Sequence, residues 1–213
     1  MARKLRDLIA HGSFAPGQQL LEVDLAKRFG VSRGVLREAM QRLTQEGLLI
    51  SRPNRGVFVA EFGVEEVFDI YTARLAIERA ACLKVIDVMG GAAELADALD
   101  ELTDRLEERR AAGAGGDELA WLDIEFHERM VAAARSPRLN RMHATLATES
   151  RMCLSSFESS AYPVPERIAE HREIAAAIRD QNVPNLHRLL AEHMDHAVAM
   201  ITAQFAEREG AGA

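Results

Sequence analysis

Residues 25–40 read LAKRFGVSRGVLREAM, and this stretch decides the fold of the N-terminal part of the chain. Gly30 can adopt the positive φ that ends a helix without a Cβ penalty. Ser32 is suited to cap the helix that follows, because its hydroxyl can accept a hydrogen bond from a free N–H group. The apolar residues of that helix then share one side: Val31, Leu36, Ala39, Met40 and Leu43. The stretch therefore predicts two short helices joined by a tight turn.

The outer side of the second helix carries Arg33, Gly34 and Arg37. Two guanidinium groups and one small residue at the N-terminal end of a helix suit its insertion into a DNA major groove. We expect Arg33 and Arg37 to contact bases and phosphates, with Gly34 between them. The alternative is an ordinary helical hairpin with solvated arginines.

Two β-favouring runs follow, LLIS at 48–51 and VFVA at 57–60, and the turn-rich, basic segment RPNRG joins them. This pattern predicts a two-stranded wing behind a helix-turn-helix. We expect Ser32 and the wing residues Asn54, Arg55 and Gly56 to contact the DNA backbone or the minor groove.

The whole segment PGQQLLEVDLAKRFGVSRGVLREAMQRLTQEGLLISRPNRGVFVAEF, residues 16–62, resembles the winged-helix domain of GntR-family transcription regulators. Nearly every position of that family's pattern is met between Pro16 and Gly56. Two departures are Gly34-Val35-Leu36, where members often carry Thr-Pro-Val, and Leu21, where a capping Ser is common. The resemblance implies a transcription regulator that binds double-stranded DNA.

The charge distribution changes near Gly63. Residues 1–62 hold 10 Lys and Arg against 6 Asp and Glu, a net charge of +4, whereas residues 63–213 carry a net charge of −11. A basic segment suits a polyanionic partner, which would repel the acidic remainder. We therefore expect a DNA-binding domain at 1–62 and a second domain with another role at 63–213.

Several features concern the cell compartment. No run approaches 18 apolar residues, so we expect no membrane span, and the basic N-terminus lacks the apolar segment of a signal peptide. Cys82 and Cys153 both fall in apolar helical patterns and are expected to be reduced core residues. These features predict a cytoplasmic protein.

From Val64 onward every segment has a helical pattern. Glycine, proline and asparagine breaks predict helices near 64–89, 92–112, 117–134, 137–160, 165–181 and 184–207. The predicted fold is mainly α: an N-terminal winged helix-turn-helix followed by an all-α bundle of six or seven helices.

Three of these helices each turn an imidazole toward the bundle interior. His127 lies four residues after Asp123, so the two share the inward side of their helix, and His171 and His193 lie on the apolar stripes of the last two helices. One inward histidine is usually a hydrogen-bonded core residue. Burying four polar groups without a shared partner is costly, and a divalent transition metal would supply one. We therefore predict a site for a divalent transition metal.

The remaining histidines and carboxylates of residues 63–213 are not among the four predicted metal ligands. His196 flanks the stripe of His193 and is either an outer partner, a substitute ligand or a half-exposed residue, whereas His143 and His187 are expected at the surface. A metal site with an open position can activate water. The inward faces near the cluster offer no further carboxylate as a general base, so we do not expect an enzyme.

Four segments of this half resemble the FCD effector domain: YTARLAIERAA at 71–81, WLDIEFHERMVAAA at 121–134, EHREIAAAIRD at 170–180 and LLAEHMDHA at 189–197. The resemblance implies that Asp123 and the three histidines bind zinc, nickel or a similar ion. It also implies a small carboxylate effector that completes the metal coordination, with Arg74 nearby. The alternative for Arg74 is an ion pair with Glu78 within one helix.

The sequence thus predicts a homodimeric regulator that binds an operator with palindromic half-sites. A small organic acid at the metal site would modulate this binding by changing the dimer geometry. The alternative is a winged-helix protein whose helical domain only dimerises, with a structural metal or none.

Overall fold

The computed structural model of the chain describes residues 1–155 and 164–211. The chain divides into two units, Met1–Phe62 and Gly63–Ala213. The end of the helix predicted near 137–160, together with the start of the break predicted at 163–165, lies outside the described residues.

The first unit combines three helices with a small antiparallel sheet. Its elements in chain order are α1 (Ala2–Ala10), β1 (Gln19–Leu20), α2 (Glu22–Phe29), α3 (Arg33–Gln45), β2 (Leu49–Arg52) and β3 (Gly56–Val59). The strand order is β1-β3-β2. This arrangement is a winged helix-turn-helix, as predicted.

The turn between α2 and α3 has the predicted chemistry. Gly30 ends α2 in the left-handed region, with φ 66° and ψ 33°. The Ser32 hydroxyl caps α3 by accepting a hydrogen bond from the backbone N–H of Val35 at 3.3 Å. The inner face of α3 is buried through Leu36, Ala39, Met40 and Leu43. Burial of this face fixes α3 against the rest of the unit and leaves the opposite face to solvent.

The wing is the hairpin of β2 and β3, with Leu49 opposite Val59 and Arg52 opposite Gly56. Gly56 has a φ of 102°, a conformation that side chains with a Cβ rarely adopt. The two-residue strand β1, for which the sequence has no strand pattern, pairs with β3 on its other edge. In the three-stranded sheet, β3 is thus the central strand, and β1 and β2 are the edge strands.

The second unit is helical throughout its described residues. It consists of α4 (Val64–Leu83), which continues as a π-helical segment (Lys84–Met89), α5 (Ala92–Ala111), α6 (Gly116–Ala133), α7 (Pro137–Ser155), α8 (Val164–Arg179) and α9 (Val183–Ala211). These bounds agree with the predicted helices to within a few residues over the described part of the chain. The fold is therefore mainly α, with an all-α bundle after the wing.

One apolar core joins α4, α5, α6, α8 and α9, and Phe126, Met130, Ile174 and Leu190 are among its buried side chains. The same inward faces carry the polar residues of the candidate site. Of the helices that the structure describes, none combines the length and the apolar character needed to cross a membrane.

Candidate functional site

Four buried polar side chains meet inside the helical bundle. Asp123 and His127 lie one turn apart on α6, His171 lies on α8 and His193 lies on α9. Each offers one ligand atom, and these atoms all lie within 4.8 Å of one another. The structure therefore brings together the four residues that the sequence analysis selected.

The ring nitrogens of His127 and His193 show how two of these groups are held. The Nδ1 atom of His127 lies 2.7 Å from Glu78 Oε2, and the Nδ1 atom of His193 lies 2.6 Å from Glu170 Oε2. Since a carboxylate accepts hydrogen bonds, Nδ1 of His127 carries the proton. Nδ1 of His193 also lies 3.1 Å from Nη1 of Arg167, but the two hydrogens of that Nη1 are used by Glu170 Oε2 and by the backbone oxygen of His193. The shorter contact with Glu170 therefore assigns the proton to Nδ1 of His193 as well. In a neutral ring, Nε2 then has a free lone pair.

These two Nε2 atoms face each other at a distance of 3.0 Å. Two lone pairs at this distance repel, so a positively charged partner between them, either a proton or a metal ion, is needed for stability. A carboxylate on the far nitrogen is also the usual partner of a metal-binding histidine, because it fixes the tautomer and the ring orientation.

Asp123 and His171 form the other half of the cluster. Oδ1 of Asp123 lies 3.3 Å from Nε2 of His171. Neither this oxygen nor either ring nitrogen of His171 has a hydrogen-bond partner among the described residues. The His171 ring is stacked on Phe126 at 3.8 Å between ring centres. Because unpartnered buried polar atoms are costly, Oδ1 of Asp123 and one ring nitrogen of His171 fit a cation that would bind them.

The protonation states suit a metal ion. Burial tends to raise the pKa of Asp123, but the neighbouring His171, His127 and Arg167 outweigh it and lower this pKa to about 2. Burial lowers the pKa of His171 to about 3. Burial, reinforced by the charge of Arg167, lowers the pKa of His193 well below its ordinary value. The carboxylate is thus ionised and these two imidazoles are neutral at pH 7, the state that metal binding requires.

Glu78 connects the cluster to a second buried group. It lies on α4 and is fully buried, and its Oε1 accepts a hydrogen bond from Arg74 Nε at 3.0 Å and lies 3.0 Å from Nε2 of His143. Arg74 also donates to Ser150 Oγ at 3.1 Å, whereas its Nη2 has no hydrogen-bond partner in the described part of the chain. Burial raises the pKa of Glu78, but His127 and Arg74 outweigh it, so this pKa lies well below its ordinary value. Arg74 therefore forms the ion pair with Glu78 that is the alternative to effector contact, and it retains one donor group without a partner among the described residues.

Two expectations from the sequence are wrong, and a third, the surface position of His187, holds only in part. His143 is predicted at the surface. The residue is only 2% exposed, however, because α7 directs its side chain toward Glu78. The inward faces were expected to offer no further carboxylate, but Glu78 and Glu170 both contact the imidazoles. His187 is half-buried rather than fully at the surface.

A helical pattern would have revealed His143. It begins a series with Ala147, Ser150 and Leu154, and all four side chains are buried on one face of α7. Glu170 offers no such signal, because it is only half-buried and reaches the cluster from the edge of α8.

His196 lies at the outer end of this network. Its side chain is 63% exposed, and its Nδ1 atom lies 2.6 Å from Glu170 Oε1, the second oxygen of the carboxylate that holds His193. It is therefore an outer partner of Glu170 and does not belong to the four-residue cluster.

The residues predicted to contact DNA lie on two exposed parts of the first unit. Arg33, Gly34 and Arg37 are exposed on the outer face of α3, and Ser32 is exposed at its cap. A Cβ at Gly34 would meet only the Ser32 hydroxyl, at 3.9 Å, so the helix surface is open there. The face is therefore accessible to a large partner.

The tip of the wing is the other exposed part. Asn54, Arg55 and Gly56 are all exposed, and the Gln19 side chain donates a hydrogen bond to the backbone oxygen of Arg55 at 2.6 Å. This bond ties the tip of the wing to β1.

Comparison with known families assigns both halves of the chain. Residues 1–59 match the family described as bacterial regulatory proteins, gntR family, and residues 69–196 match the FCD domain. These families and the relatives found are transcriptional regulators and not enzymes, in agreement with the sequence prediction.

Relatives and solved structures cover most of the chain. An uncharacterised HTH-type transcriptional regulator, YdhC of Bacillus subtilis, is 28% identical over 196 residues, which are 91% of this chain and 85% of that protein. The galactonate operon transcriptional repressor of Escherichia coli is 24% identical over 190 residues, 82% of this chain and 83% of that protein.

A solved structure, described as a putative transcriptional regulator GntR from Rhodococcus sp. RHA1, covers 95% of both chains with a TM-score of 0.75 and 28% identity. The chain belongs to the GntR family and is a DNA-binding transcription regulator whose C-terminal part is an FCD domain.

Proposed function

We propose that the protein is a metal-dependent, ligand-responsive regulator that binds its operator as a homodimer. In this proposal α3 enters the major groove, with Arg33 and Arg37 at base edges and phosphates and Gly34 allowing close approach. The wing residues Asn54, Arg55 and Gly56, together with Ser32, contact the backbone or the minor groove. Two copies of α3 would meet half-sites about one DNA turn apart. Such a regulator works in the cytoplasm, where bacterial DNA lies.

The metal part of the proposal rests on one observation above all: the Nε2 atoms of His127 and His193 face each other at 3.0 Å while both Nδ1 atoms are held by carboxylates. Oδ1 of Asp123 and a ring nitrogen of His171 add two further ligand atoms with no hydrogen bond of their own among the described residues. A divalent transition metal such as zinc or nickel fits three imidazoles and one carboxylate, and leaves one or two positions for exchangeable ligands.

The effector part of the proposal concerns those exchangeable positions. A small organic acid can bind a metal ion through its carboxylate, and the unpartnered Nη2 of buried Arg74 would supply a counter-charge. The name of one relative refers to the galactonate operon, and galactonate is a carboxylate of this kind. In the alternative, the helical domain only dimerises and the metal is structural or absent. The hydrogen bonds of Arg74 to Glu78 and Ser150 favour this alternative, because they already engage the guanidinium.

The experiment begins with protein purified without an affinity tag, analysed for metals and used to enrich a binding site from a random duplex library. We expect about one divalent ion per chain, and at least one of a panel of small mono- and dicarboxylates should change the affinity for the enriched site. Less than about one ion per ten chains, with thermal stability unchanged by a chelator, would contradict the metal site. A full metal content without any carboxylate effect would favour the structural alternative.

The Arg37→Ala variant tests the DNA-binding surface. We expect it to weaken binding to the enriched duplex by on the order of 1–3 kcal/mol, because a bidentate contact between arginine and guanine contributes about this much discrimination. Gel-shift titration against the enriched duplex and against random duplex measures the effect. An unchanged ratio of the two affinities would rule out a base contact by Arg37.

A further inference from the structure

Glu22 holds both arginines of the exposed α3 face with one carboxylate. Its Oε1 atom accepts hydrogen bonds from Arg33 Nε at 3.2 Å and from Arg37 Nη2 at 2.8 Å, and its Oε2 atom accepts one from Arg37 Nε at 3.0 Å. Glu22 is the first residue of α2, so the contact crosses the helix-turn-helix from one helix to the other. The recognition surface therefore contains a built-in acidic residue.

This contact differs from a pair of mobile surface charges. The Glu22 side chain is 23% exposed, whereas those of Arg33 and Arg37 are more than half exposed. The positive end of the α2 dipole stabilises the carboxylate at this position. The hydrogen bond from Arg37 lowers the pKa of Glu22 and outweighs the opposite effect of burial. One fixed carboxylate thus separates two guanidinium groups that would otherwise repel each other.

The geometry leaves Arg37 able to bind DNA. Glu22 occupies Nε and one of the Nη2 hydrogens, so the two Nη1 hydrogens and the second Nη2 hydrogen remain as donors. The two terminal nitrogens are the ones that can bind the O6 and N7 atoms of guanine together. A guanidinium held from its Nε side loses fewer rotamers when it makes that contact, which favours the correct base over random sequence.

The negative charge of Glu22 also favours specificity, because it weakens binding to random DNA. Binding to random sequence depends on phosphate neutralisation by lysine and arginine, and a carboxylate at this face offsets one of the positive charges. We infer that Glu22 is a positioning and specificity-determining residue, which orients Arg37 and Arg33 for base contacts and weakens their attraction to random DNA.

The test uses the full chain and two duplexes of equal length, the site enriched by the wild-type protein and a random sequence. In Glu22→Gln we expect the ratio of the two affinities to fall on the order of tenfold, through weaker binding of the enriched site and tighter binding of random DNA. Glu22→Asp keeps the charge but is too short to reach both arginines, so it should also lower the ratio, with a smaller gain on random DNA. The matched control is Asp24→Asn, because exposed Asp24 lies in the same first turn of α2 and has no hydrogen bond or ion pair in the described part of the chain.

Two results would overturn the inference: an unchanged affinity ratio in Glu22→Gln, or an equal fall in Asp24→Asn. The inference rests on the proposed contact of Arg37 with DNA, and Arg37→Ala tests that contact separately. If Arg37→Ala lowers the ratio and Glu22→Gln does not, the role of Glu22 alone fails. In the Arg37→Ala background, the effect of Glu22→Gln on the ratio should largely disappear, as expected for two groups that act together.

Discussion

Zinc ion added to the metal-stripped protein at about one hundred times its dissociation constant is expected to raise the free energy of unfolding by about 2.7 kcal/mol, because an ion that binds only the folded chain stabilises it by mass action. The physical reason lies in the cluster, where the facing Nε2 atoms of His127 and His193 would share a cation instead of repelling each other. Denaturant titrations at pH 7, with zinc and with chelator, measure the difference.

His171→Asn is the variant that should lose this stabilisation. Neither ring nitrogen of His171 forms a hydrogen bond with another described group, so its removal eliminates a ligand without leaving a partner unpaired. His11→Asn is the control, because His11 is exposed, belongs to the first unit and lies outside the cluster, and it should retain the zinc effect. Equal stabilisation of wild type and His171→Asn by zinc would place the ion elsewhere.

The Glu78→Gln variant should weaken metal binding without abolishing it. It leaves all four proposed ligands in place but removes the negative charge behind His127 Nδ1. Replacing such an outer partner weakens metal affinity by about 10–100-fold in other proteins, and we expect a loss of this size in competition titrations with a coloured chelator. An affinity equal to that of wild type would show that Glu78 does not assist His127.

The four-residue cluster of Asp123, His127, His171 and His193 shows how much of the candidate site could be predicted from the sequence. The spacing of Asp123 and His127 on one helix, and the positions of His171 and His193 on apolar stripes, were sufficient to select four side chains that lie together. Helical periodicity identifies the face of a residue, and at the centre of a bundle the inward faces converge. The helix-turn-helix could also be predicted from the sequence, because its turn depends on the local conformations of Gly30 and Ser32.

Other features depend on contacts between distant parts of the chain. Glu170 reaches His193 from the edge of α8, and the position of a side chain at the edge of a helix does not reveal its partner. β1 has two residues, and it exists because Gln19 and Leu20 pair with β3 almost forty residues later in the chain. Glu22 belongs to the same group, since its partners lie on the next helix. Patterns within one helix or strand do not contain this information.

Acidification is expected to destabilise the metal-free protein strongly. An unfolded imidazole has a pKa of about 6.5, whereas burial lowers the pKa of His171 to about 3 and that of His193 well below its ordinary value. Between these values the unfolded chain binds more protons than the folded chain, so the free energy of unfolding falls as the pH falls below about 6.5. Asp123, with a pKa lowered to about 2, acts in the same direction only in a more acidic range.

The slope distinguishes the buried histidines from a general acid effect. At pH values well below about 6.5, each imidazole that stays neutral in the folded chain adds about 1.4 kcal/mol per pH unit to the slope of the unfolding free energy. His171 and His193 together add about twice that amount. Denaturant titrations in chelator between pH 6.5 and 5 measure this slope. His171→Asn should reduce it by the share of one histidine, because asparagine does not titrate. A slope that is the same in this variant and in wild type would mean that His171 takes up its proton without unfolding, and that the interior around Phe126 admits a charge.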